Sequence, residues 1–152
     1  MADKKFHVPY KALWISVIVT LVLLTVQGFT GDSINLFAVF PSQVTGTFAG
    51  FLEALSQAGG LTIFHAAEGL AILLASISAM VYSFRYRINT SARIFAIIGL
   101  TAVISAVTGG ILFVASGFKN DPNSAQMGGS FISAYASYFL MLHFLKSPAT
   151  HS

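Results

Sequence analysis

His65 and Glu68 stand three residues apart in an otherwise apolar run, Thr62-Ile63-Phe64-His65-Ala66-Ala67-Glu68-Gly69. An ionisable side chain at membrane depth is costly unless it is paired, faces a cavity or serves a function. On a helix this spacing puts imidazole and carboxylate on one face, and Gly69 beside them leaves room for a bulky group to approach the backbone. Three chemistries are open to such a pair. The imidazole can ligate a heme iron with Glu68 orienting it, the two side chains can hydrogen-bond a neighbouring helix, or they can relay protons.

The elements that position the pair follow from composition. With 55% hydrophobic and 9% charged residues and a mean hydropathy of +0.78, the chain cannot be a soluble domain, in which about a quarter of residues are charged. It reads as an all-α integral membrane four-helix bundle, a single membrane domain over residues 1–152 with spans of about 12–29, 61–84, 94–115 and 130–146. The first apolar run follows Lys4, Lys5 and Lys11 as a signal peptide would, but it is long for one and lacks a cleavage motif, so it reads as a retained helix. Residues 30–60 form a long outer loop too apolar to be solvated. Within it Val44 to Gln57 is expected to form an interfacial helix, with Phe48, Phe51, Leu52 and Leu55 on one side and Glu53 on the other. That helix would serve as a cap packed over the bundle end, or as a lid or lateral docking surface. Lys119-Asn120-Asp121-Pro122-Asn123 reads as a turn.

The charges sort by side. Lys4, Lys5, Lys11, Arg85, Arg87, Arg93 and Lys146 fall on one face and Lys119 alone on the other, so the positive-inside rule places both termini in the cytoplasm of a multi-pass cell-membrane protein. Topology thus explains the pI of about 9.4; the expected partner is the lipid bilayer, and nucleic acid has no support. Zero cysteines exclude disulfides, thiolate catalysis, iron–sulfur clusters and a cysteine-bound zinc.

The two hairpins share short motifs. Gly28-Phe29-Thr30-Gly31-Asp32 parallels Gly117-Phe118-Lys119-Asn120-Asp121, and Gln57-Ala58-Gly59-Gly60 parallels Gln126-Met127-Gly128-Gly129. As a parallel repeat this alignment sets Ala134 opposite His65 and Ser137 opposite Glu68. Four helices with one inward imidazole are a common heme cage, and His65, roughly 6 Å below the outer edge, suits a heme whose propionates reach the interface. Gly28, Gly31, Gly109, Gly110, Gly128 and Gly129 would admit a flat macrocycle, or equally serve as small-residue contacts between helices. His143 lies roughly 13 Å from the level of His65, too far to share one iron. It could ligate a separate metal near the cytoplasmic face with His7, or act simply as an interfacial histidine. A second axial ligand for His65 would be Met127, Tyr135, water or His65 of another copy. Tyr135 and Tyr138 with Phe131 and Phe139 stripe the fourth span, a pattern of packing more than of a quinone pocket.

Gln27-Gly28 closing a span, the long outer loop, a histidine early in the next span and Thr108-Gly109-Gly110 in the third together resemble half of a heme A synthase. The resemblance implies a b-type heme held through His65. Departures are Ala134 where that family has a second histidine, no cysteine pair in the outer loop, and Glu68 following rather than preceding its histidine. The expectations are therefore a small membrane hemoprotein in electron transfer or heme processing, with heme b at His65, Glu68 and Gly69. The alternative is a non-catalytic accessory subunit of a larger membrane complex or a homo-oligomer, and no independent enzyme activity is indicated.

Overall fold

The computed structural model describes residues 11–40, 48–118 and 121–146. Among them every regular element is a helix: α1 (Lys11–Phe37), α2 (Phe48–Gln57), α3 (Gly60–Arg85), α4 (Thr90–Ala115) and α5 (Asp121–Lys146). Three of these, α1, α3 and α4, are long and apolar enough to cross a membrane, and α5 is as long but carries Ser130, Ser133, Tyr135, Ser137 and His143. Large apolar side chains point outward all round, among them Val22, Leu70, Leu74, Val81 and Ile111, each about half exposed. A helix apolar on every face requires an apolar surrounding, the signature of an integral membrane protein.

α1 packs on α3 and α5, and α4 packs on α3 and α5. The core runs along these contacts, with small residues of α4 facing large ones of α5. Ala92, Ala96 and Ala102 are buried, and so are Tyr138, Met141 and Leu145. At Gly99 the fit is tightest, since a Cβ there would lie 2.8 Å from the Tyr138 ring. Hydroxyls within the apolar helices are mostly absorbed by their own backbone. Thr20 bonds to the Ser16 carbonyl at 2.8 Å, Thr108 to Ile104 at 2.9 Å and Ser137 to Ser133 at 2.7 Å.

Helix ends follow local chemistry. α3 begins after Gly59, at φ 99°, where a side chain would be strained. At its far end Arg93 of α4 reaches back, donating to the Ser83 carbonyl at 3.4 Å and lying over the Phe84 ring. Asn89 caps α4 by accepting from the Ser91 amide at 2.8 Å. α4 closes in a Schellman motif, with Gly117 N–H bonding the Val114 carbonyl and Phe118 N–H the Phe113 carbonyl. The Phe118 ring then meets Phe113 edge-on and stacks on Phe40 with centroids 4.5 Å apart. α2 sits on this knot through Ala54, Leu55 and the half-buried Phe51, packed with Val114 and Phe118.

Three expectations are corrected. The first span does not stop at residue 29, because α1 continues through Gly31 and Asp32 to Phe37 and absorbs the start of the expected loop. The last long helix starts at Asp121 rather than at residue 130, so Asp121-Pro122-Asn123 is a helix start with proline in the first turn, where its missing N–H costs nothing. The motifs behind the repeat do not correspond in space. Gly28–Asp32 lies inside α1 while Gly117 and Phe118 form a turn, and Gly59-Gly60 is a helix junction while Gly128-Gly129 is interior to α5. A helix is present in the expected segment as α2, described from Phe48 to Gln57; residues 44–47 lie outside those described, as do His7, Lys119 and both chain ends.

Candidate functional site

His65 lies in the second turn of α3 and meets α1 through both ring nitrogens. Its Nδ1 is 2.9 Å from Thr30 Oγ1, and its Nε2 is 2.9 Å from the end of the Gln27 side-chain amide. Glu68, one turn on and only 6% exposed, accepts from Thr30 Oγ1 at 3.2 Å. The amide orientation that satisfies every neighbour turns Gln27 Oε1 toward His65 Nε2–H. Its Nε2 then donates to Glu68 Oε2 at 2.9 Å and to the His65 carbonyl at 3.2 Å. Four side chains from two helices thus close a ring of hydrogen bonds.

Glycines make the ring possible. A Cβ at Gly31 of α1 would meet His65 Cε1 at 3.3 Å, and a Cβ at Gly69 of α3 would meet the Gln27 amide at 3.6 Å. Each bulky polar side chain is therefore seated against a glycine of the opposite helix. Gly28 serves α5 in the same way, with the Phe131 ring 3.0 Å from where its Cβ would be. Interhelical hydrogen bonds of this kind, on closely approaching small residues, are how membrane helices are held together.

The sequence placed His65 and Glu68 on one helical face, and both reach the same hydroxyl of α1. Gly69 lies beside them, facing Gln27. Sequence reasoning does not find Gln27 and Thr30 as members of the site, because Gln27 is uncharged and Thr30 lies just past the expected span end at residue 29. Their i, i+3 spacing, with Gly31 completing an i, i+4 pair, was the signal available. His143, in the last turn of α5, is exposed with its ring against Phe144, far along the fold from His65. Met127 packs against Gly109 and Gly110, and Tyr135 is 38% exposed on α5; neither touches His65. Among the described residues no three of His, Asp and Glu gather as a metal-binding group.

Heme ligation needs one imidazole nitrogen with a free lone pair. At His65 both nitrogens are taken by α1 and Gly31 closes on the ring edge, so this arrangement does not fit an axial ligand unless α1 gives way.

A second polar cluster joins α4 and α5. Gln126 donates to the carbonyl and the hydroxyl of Ser105, each at 3.2 Å, and Ser130 donates to Ser105 Oγ at 2.9 Å. These residues border an open groove that continues along Ile97, Ile98, Thr101, Gly129 and Ser133. No side chain fills the space beside Gly128 and Gly129, where an added Cβ would meet nothing.

The chain matches no protein-family model, no curated protein and no solved structure. Function is therefore read from its own side chains.

Proposed function

We propose that this protein is a non-catalytic subunit of a larger membrane assembly, its four long helices crossing the bilayer as a bundle with both termini in the cytoplasm. The seven-to-one distribution of basic residues supports that orientation. The observation that carries the subunit reading is the groove between α4 and α5. Thr101, Gln126 and Ser133 are exposed there among apolar neighbours such as Ile97 and Ile98. Beside them Gly128 and Gly129 each cost the helix about 1 kcal/mol relative to Ala while accommodating nothing within the chain. A helix from a neighbouring subunit would cover the polar groups and use the small residues for close approach.

The test is native electrophoresis of mildly solubilised membranes from the source organism. The wild type should migrate with a larger assembly, and Gly129→Leu with Ser133→Leu should release it as a monomer that is still helical. Unchanged migration of the double variant would remove the groove as the docking face.

The competing reading is a b-type heme at His65, which requires Gln27 or Thr30 to surrender a ring nitrogen. The optical spectrum of the purified protein separates the two. A Soret band lost in His65→Ala would establish the hemoprotein, whereas no Soret band accords with the subunit reading.

A further inference from the structure

We propose that His65 and Glu68 hold one proton in common and exchange it through the Thr30 hydroxyl, which makes the α1–α3 contact a proton-binding site. This assignment does not depend on what docks at α4 and α5. It follows from counting hydrogens. Thr30 Oγ1 lies 2.9 Å from His65 Nδ1, 3.2 Å from Glu68 Oε2 and 3.1 Å from the Gln27 carbonyl, and it has a single hydrogen to give. If that hydrogen points to Glu68, Thr30 can only accept at Nδ1, which must then carry its own hydrogen. If it points to Nδ1, the ring nitrogen is bare, and the contact with Glu68 persists only when Oε2 supplies a hydrogen.

Gln27 removes the remaining freedom. With Oε1 toward the ring it requires a hydrogen on Nε2, and its amide N–H groups are spent on Glu68 Oε2 and the His65 carbonyl. The reverse amide orientation would set its oxygen 3.2 Å from the His65 carbonyl, which has no hydrogen to give in either protonation state, and against Glu68 Oε2. A hydrogen aimed at the Gln27 carbonyl would need one proton more, on both Nδ1 and Oε2; with the pair neutral overall, two fully bonded arrangements are left. In one the imidazole carries both hydrogens and Glu68 is a carboxylate; in the other the imidazole is neutral, protonated at Nε2, and Glu68 is a carboxylic acid. They contain the same atoms and the same net charge. Passing from the second to the first breaks the O–H bond at Glu68 Oε2 and forms an N–H bond at His65 Nδ1. Thr30 receives one proton and gives up its own.

Both arrangements keep every polar atom of the ring partnered, and the charge-separated one keeps its two charges adjacent, so neither incurs the penalty of an isolated buried charge. Among the described residues no other ionisable side chain is hydrogen-bonded to the ring, and on α5 Tyr138 is buried against Gly99 of α4 while His143 is exposed near the far end. Asp32 of α1 is exposed, Glu53 of α2 accepts from Gln57 on the surface, and Arg93 of α4 is engaged at the opposite end of α3.

The test uses full-length protein in lipid nanodiscs with 15N-labelled histidine. The His65 resonances are identified by their loss in His65→Asn. A shared proton should put the Nδ1 resonance between the protonated and bare positions, and Glu68→Gln should drive it to one extreme. In a Thr30→Val background the Glu68→Gln shift should vanish, and Thr30→Ser should restore it. A wild-type Nδ1 fixed at either extreme would overturn the proposal even if Thr30→Val failed to fold. So would a Glu68→Gln shift of equal size with and without the Thr30 hydroxyl.

Discussion

A single methyl group distinguishes two kinds of glycine in this chain. At Gly99 it would press on the Tyr138 ring at 2.8 Å, with Tyr138 fully buried and unable to yield. Gly99→Ala should therefore destabilise the fold by about 1–3 kcal/mol. Adding Tyr138→Leu should recover part of that loss in a thermal unfolding series, because the clash is with the ring. At Gly129 the methyl group meets open space, so Gly129→Ala should leave the isolated chain as stable or stabilise it by up to about 1 kcal/mol, while weakening any assembly seated in the groove. Deeper in the core, Ser76 Oγ and Tyr138 OH are buried beside each other but outside full hydrogen-bonding geometry. Since an unpaired buried hydroxyl costs about 1–3 kcal/mol, Ser76→Ala with Tyr138→Phe should raise the unfolding temperature; a drop would show that the two hydroxyls serve each other. At this scale the sequence made His65 and Glu68 legible because charge is rare in apolar runs. It hid Gln27 and Thr30 because uncharged polar residues near a span's end look like the start of a loop.

Elements were legible in type and poorly legible in extent. The apolar runs identified four long helices, yet α1 outran its run by about two turns and α5 began well before its own. In both places the extra turns are polar or glycine-rich, and they stay helical because a neighbouring helix accepts their side chains. Thr30 and Gly31 face His65, and Gln126 and Ser130 face Ser105. Hydropathy records the solvent of a segment, and helix length here is set by packing beyond it. α2 is the element whose attachment is lightest, resting on Ala54, Leu55 and Phe51 against Val114 and Phe118. Leu55→Ala should accordingly speed amide hydrogen exchange in Phe48–Gln57 by ten-fold or more, taking a loss of about 2–5 kcal/mol for a buried leucine. The interiors of α3 and α4 should keep their protection. Equal acceleration throughout would mean that α2 holds the whole fold together.

Across the whole molecule, the charge distribution that reads as topology can be checked directly, because a chain without cysteine is already a background for single-cysteine labelling. In intact cells Ser56→Cys, on exposed α2, should react with a membrane-impermeant maleimide. Thr90→Cys, at the exposed start of α4 beside Arg87 and Arg93, should react only after permeabilisation. The opposite pattern would invert the topology. The closed ring between α1 and α3 bears on how such a molecule is made. Gln27 leaves the ribosome 38 positions ahead of the histidine it bonds, which at synthesis rates of about 5–20 residues per second is a delay of roughly 2–8 s. For that interval the C-terminal part of α1 has an amide, a hydroxyl and the face of Gly31 with nothing to receive them. A newborn first helix is thus better kept at the insertion machinery than released into lipid, and it becomes membrane-compatible only when its partner arrives. The hairpin of α1 and α3 is the smallest unit in which these polar groups find one another.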